Sequence, residues 1–93
     1  TISTATDKRQ SAAIKLSKEV DMMIVVGGRN SANTTRLAQL CTEHCVTHHI
    51  ETVDELHDDW FNNIKKIGIT AGASTPDWII KEVYEKCKTW QAY

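Results

Sequence analysis

Met22-Met23-Ile24-Val25-Val26 is the longest apolar run in the chain, and it stops at Gly27-Gly28. A strand covered on one face alternates apolar and polar residues, so an unbroken run rich in β-branched residues predicts a strand buried on both faces. Lys66-Ile67-Gly68-Ile69-Thr70 is a second such run, ending in Ala71-Gly72-Ala73, and VTHHI at 46–50 is a weaker third. Helical patterns separate them. Residues 7–20 place Ala13, Leu16 and Val20 on one face, and residues 33–45 do the same for Leu37, Leu40, Cys41 and His44. Thr52-Val53-Asp54-Glu55 has the form of a capping box and opens a short helical stretch carrying Leu56, Trp60 and Ile64. The last helix is the clearest: Thr75 can cap it, Pro76 suits its first turn, and Ile79, Ile80, Val83, Tyr84 and Cys87 form its stripe. The predicted order is helix–strand–helix–strand–helix–strand–helix. It implies a small three-layer α/β sandwich with a short parallel sheet flanked by helices.

A chain of 93 residues with 41% hydrophobic and 25% charged side chains suits one soluble domain with a modest core. The formal net charge of −1 offers no footprint for nucleic acid, and five apolar residues in a row are far too few to span a membrane. Three cysteines, Cys41, Cys45 and Cys87, make an odd count without framework spacing, as expected in a reducing cytoplasm. Thr1 stands where an initiator methionine would, and no targeting segment is visible, so the chain reads as a piece of a longer protein.

The functional signal lies in a near-repeat. MMIVVGGRNSANTT and KIGITAGASTPDW both read strand, glycine-containing turn, serine, helix. In a parallel sheet both turns fall at the C-terminal edge, where ligands bind. Each feeds a helix whose first N–H groups are unpaired and whose dipole is positive there, which makes two converging turns a natural phosphate or diphosphate site. Ser31, Asn33 and Ser74 can add side-chain donors, and Arg29 either adds charge or is simply solvated. For one turn alone, ordinary capping is the better explanation. The duplication brings the ligand reading level with it. Neither turn has the spacing of a dinucleotide fingerprint or of a phosphate loop with its lysine.

Other residues carry less. Cys41-x-x-His44-Cys45, with His48 and His49 nearby, has some likeness to a zinc site, but Cys41 and Cys45 sit on an apolar helix face and no second ligand pair follows. Asp54, Glu55, Asp58 and Asp59 read as a solvated helix start. Trp60, Trp78 and Trp90 read as partly buried packing residues, one of which could mark a contact with a missing domain. No serine–histidine–acid arrangement can be argued.

Taken together, TATDKRQSAA, VVGGRNSANTTRL and GITAGASTPDWII resemble the C-terminal domain of hydroxymethylbutenyl diphosphate reductases, the LytB/IspH family of the non-mevalonate isoprenoid pathway. The likeness covers nearly the whole chain and rests on two motifs about forty residues apart. It implies that residues 1–93 form the third domain of a three-domain cytoplasmic reductase. That enzyme reductively removes a hydroxyl from an allylic diphosphate, giving isopentenyl and dimethylallyl diphosphate. Its [4Fe-4S] cluster takes one cysteine from each domain, and its electrons come from a donor such as ferredoxin or flavodoxin. The family's diphosphate ligands map onto Ser31, Ala32, Asn33 and Ser74. Ala32 departs from the family's serine and keeps only its backbone N–H. The cluster cysteine maps onto Ser3, a poor substitute for a thiolate. No catalytic or metal-ligating residue is therefore expected on this chain, which should be inactive alone. Ser3 and Ala32 favour the alternative of a divergent, non-catalytic phosphate- or diphosphate-binding or interaction domain of the same ancestry. An unrelated sugar-phosphate-binding α/β domain is the third reading.

Overall fold

A computed structural model describes residues 2–5 and 9–91, with side chains for 10–89. The elements run β1 (Ile2–Ala5), α1 (Arg9–Ser17), β2 (Met22–Val26), α2 (Ala32–Thr42), β3 (Val46–Ile50), β4 (Ile67–Ala71) and α3 (Asp77–Gln91). Two 3-10 turns, Val53–Glu55 and Asp58–Phe61, lie between β3 and β4. The four strands form one sheet in the order β1-β4-β2-β3, and every pairing is parallel.

Burial explains the unbroken run. All five residues of β2 and all five of β4 are buried. Met23 and Val25 point toward α1 and α2, packing with Ala13, Leu37 and Cys41. Met22, Ile24 and Val26 point the other way, into a cluster with Ile50, Ile67, Ile69, Val83 and Cys87, which α3 and the 3-10 turns cover through Ile79, Ile80, Leu56 and Trp60. Helices on both faces make the three-layer α/β sandwich expected from the sequence, with β2 and β4 in the middle.

Three elements differ from expectation. The chain begins with a strand, β1, rather than a helix. ISTA lacks a recognisable apolar run, and its strand geometry comes from pairing Ile2 to Ile67 through Ala5 to Thr70 on β4. The helix expected over 7–20 is described only from Arg9 and ends at Ser17, with Asp7 and Lys8 outside the described residues. The helical stretch after Thr52 is broken in two because Leu56 is extended, with ψ 138°. Its start forms as expected in one respect: the Glu55 carboxylate accepts from the N–H of Thr52 at 3.1 Å.

The connection into β4 is latched by Asp21. Its carboxylate accepts from the N–H groups of Lys65 at 3.0 Å and Lys66 at 3.1 Å, and these two bonds hold the carboxyl below its ordinary value. No helix of the described residues is long and apolar enough to cross a membrane.

Candidate functional site

β2 and β4 are neighbours in register, Val26 beside Ala71, so the turns that follow them leave the same edge of the sheet side by side. The second turn is then tied to the end of β2. Gly72 N donates to the Val26 carbonyl at 3.1 Å, and the Thr75 hydroxyl donates to the same oxygen at 2.9 Å. Thr75, the residue that can cap the last helix, uses its hydroxyl proton for this cross-turn bond, which leaves its lone pairs for a cap. The first turn is held from the other side, where Gly27 N donates to the Ile50 carbonyl at 2.9 Å. His49 Nε2 lies 2.9 Å from the Gly27 carbonyl and, carrying the proton, donates to it.

The sequence-predicted site residues fall on this pair of turns. Ser31 is the N-cap of α2, half-buried, and its hydroxyl oxygen accepts from Thr34 N at 3.3 Å and from Thr34 Oγ1 at 3.1 Å. Ala32 and Asn33, the first two residues of α2, are exposed, as is Ser74 in the second turn. Capping and ligand binding are therefore not rivals at Ser31. The oxygen caps the helix with its lone pairs, and the single hydroxyl proton remains for an acceptor outside. The cradle is open to solvent on this chain.

Arg29 is neither a free charge in the site nor simply solvated. Its Nη1 pairs with Glu51 Oε1 at 2.9 Å, its Nη2 pairs with Glu55, and its N–H donates to Glu51 Oε2 at 3.0 Å. Burial works against the charge of Glu55. The Arg29 bond and the N–H donors of Glu51 and Thr52 outweigh it, so the carboxyl sits below its ordinary value. Arg29 and both carboxylates are partly exposed, so this network adds order to the first turn more than stability.

The Cys/His group near residue 45 does not converge. Cys41 is buried, His44 is exposed rather than on the apolar stripe, His48 stacks on Trp60 with centroids 3.8 Å apart, and His49 holds Gly27. Burial pushes the Cys41 thiol up to about 11 and the Cys87 thiol up to about 12. Such thiols pack as apolar groups and are the opposite of a thiolate ligand. Among the described residues no group of three or more His, Cys, Asp or Glu could hold a metal ion. Ser3 lies within β1, level with Gly68, and its side chain is outside the described residues. Among the described residues the donors do not fit an iron–sulfur cluster: Cys41 and Cys87 are buried in the core, Cys45 has no partner ligands of a cluster beside it, and the position the resemblance assigns to a ligand is a serine, Ser3.

Trp78, expected to be partly buried, is 63% exposed on the first turn of α3. It borders a groove of about 590 Å³ with Val53, Lys81, Glu85 and Thr89. Trp60 is half-buried as expected, and the side chain of Trp90 is outside the described residues.

A family model described as LytB protein matches residues 1–88. The chain belongs to the LytB family. It is 56% identical over 87 residues to the 4-hydroxy-3-methylbut-2-enyl diphosphate reductase of Syntrophotalea carbinolica, covering 92% of this chain and 31% of that protein. The enzyme of the same name from Clostridium perfringens is 53% identical over 91 residues, with 95% and 32% covered. A solved structure of (E)-4-hydroxy-3-methyl-but-2-enyl diphosphate reductase, described as the terminal enzyme of the non-mevalonate pathway, matches with a TM-score of 0.85 at 50% identity. It covers 87% of this chain and 29% of that one. The LytB chain therefore spans about a third of the length of the curated relatives it matches.

Two features of the LytB turns escaped the sequence reading. The Arg29 pairs link residues 22 and 26 positions apart, for which the sequence has no signal. Thr34 is fully buried between the two turns. Its spacing from Ser31 is that of a capped N–H, but nothing local marks its hydroxyl as buried.

Proposed function

We propose that this chain is the C-terminal, third domain of a three-domain 4-hydroxy-3-methylbut-2-enyl diphosphate reductase, and that its part in the reaction is to hold the diphosphate of the allylic substrate. The observation that carries this reading is the stitching of the two turns. The bonds of Gly72 and Thr75 to Val26 bring two helix N-termini to one edge of the sheet. The Ser31 hydroxyl, the Asn33 amide, the Ser74 hydroxyl and the backbone N–H of Ala32 are the donors. Because Arg29 is paired with Glu51 and Glu55, the first turn offers dipoles rather than a free guanidinium.

Titration with inorganic pyrophosphate tests the assignment. The amides of residues 27–33 and 72–75 are expected to shift at millimolar ligand. Ser31→Ala should weaken binding about tenfold, since hydrogen bonds to charged groups are worth about 1.5–3 kcal/mol. Amides that move elsewhere while these stay still would refute it.

The open cradle and the exposed Trp78 support an incomplete site that the rest of the parent closes. With relatives about three times as long, the occupant of the α3 groove is the remainder of the same polypeptide. Trp78 should then be quenched by acrylamide several-fold less in the full-length protein than in the 93-residue chain. Equal quenching removes that interface.

The parent on this reading is cytoplasmic, carries a [4Fe-4S] cluster and takes electrons from a ferredoxin or flavodoxin. This chain supplies binding alone, and by itself reduces nothing. Ser3 and Ala32 favour a second reading, a non-catalytic diphosphate-binding relative. Iron, sulfide and reductase activity in the full-length protein would exclude it.

A further inference from the structure

We infer that Thr34 is a positioning residue: its buried hydroxyl fixes the direction in which Ser31 donates. This rests on the diphosphate reading of the two turns. Thr34 is 0% exposed, and a buried hydroxyl must have a partner. That partner is Ser31 Oγ, 3.1 Å away, which also accepts from Thr34 N at 3.3 Å. Both acceptor positions of Ser31 are thereby taken up by Thr34, and its own proton is left for an acceptor outside the turn, where Ala32 and Asn33 are exposed.

The hydroxyl of Thr34 is itself held by the two glycines. A Cβ on Gly27 would lie 2.6 Å from Thr34 Oγ1 and 2.7 Å from its Cγ2, and a Cβ on Gly72 would lie 2.0 Å from Oγ1. One glycine from each turn forms a socket around one side chain. Thr34 has few χ1 rotamers because it is β-branched, and it is anchored on α2, so it has little freedom within the socket. The glycines of the repeated motif therefore do more than let the chain turn: they make room for the group that aims Ser31.

Hydroxyl and methyl can be separated. Thr34→Val keeps the shape and removes the donor, whereas Thr34→Ser keeps the donor and removes the methyl. Both variants and the wild-type chain are titrated with inorganic pyrophosphate by amide chemical shift, with thermal midpoints measured alongside. Thr34→Val is expected to bind roughly fivefold more weakly, the size of one modest hydrogen bond. Thr34→Ser should stay within about twofold of wild type, rescuing affinity even where its midpoint falls. The reverse order, with Val binding like wild type and Ser weakened, shows that Thr34 only fills space and overturns the inference while the diphosphate site stands. A folded wild-type chain whose turn amides ignore pyrophosphate overturns the site and this inference together.

Discussion

Gly72→Ala is expected to destabilise the chain by about 3 kcal/mol, near the upper end for a single added methyl. The new Cβ would sit 2.0 Å from Thr34 Oγ1, well inside contact distance. A long side chain could swing aside, but Thr34 cannot. Its hydroxyl is bonded to Ser31, its rotamer is limited by β-branching, and its Cγ2 already lies 2.7 Å from where a Gly27 Cβ would be. Either the second turn lifts off β2, losing the Gly72 and Thr75 bonds to Val26, or the start of α2 moves. Urea unfolding of both proteins measures the loss, and a difference below about 1 kcal/mol would show the socket to be soft. Thr34→Ala opens the space, so the double variant should be more stable than the sum of the singles by about 1 kcal/mol or more.

The second large effect belongs to the core. Ile24→Ala should cost about 3–4 kcal/mol, against a total of roughly 5–15 kcal/mol for a domain of ordinary stability. Ile24 is 0% exposed on the second central strand, level with Ile69 on β4 and His48 on β3, and it packs toward α3. Neighbours on three sides leave little freedom to collapse into the cavity. Val46→Ala is the control, because that residue starts the edge strand and is 57% exposed. Its expected cost is within about 0.5 kcal/mol. Equal losses at the two positions would contradict the assignment of β2 to the centre of the sheet.

The contrast between Ile24 and Val46 also shows why parts of the fold were legible. MMIVV and KIGIT announce themselves because both faces of β2 and β4 are covered, so apolar residues can fall at successive positions. VTHHI is weaker because β3 is an edge strand with a solvated start. ISTA gave no signal at all: a four-residue strand at the opposite edge is made by its partner β4. Helices α2 and α3 were readable from their spacing, since 3.6-residue periodicity is local. The stretch after Thr52 misled because three apolar residues at helical spacing do not require a continuous helix when they can reach the core from separate turns.

At the site, the sequence by itself determined the chemistry available: two glycine turns, their serines and asparagine, each feeding a helix start. These follow from residue types within a few positions of one another. Only the tertiary structure decided that the turns are bonded through Val26, that Arg29 is taken up by Glu51 and Glu55, and that Thr34 at the start of α2 fills a socket lined by glycines of both turns. The reason is physical. Each of these contacts joins groups far apart in sequence, and their geometry is set by strand order and register, which emerge only when the whole apolar core is packed.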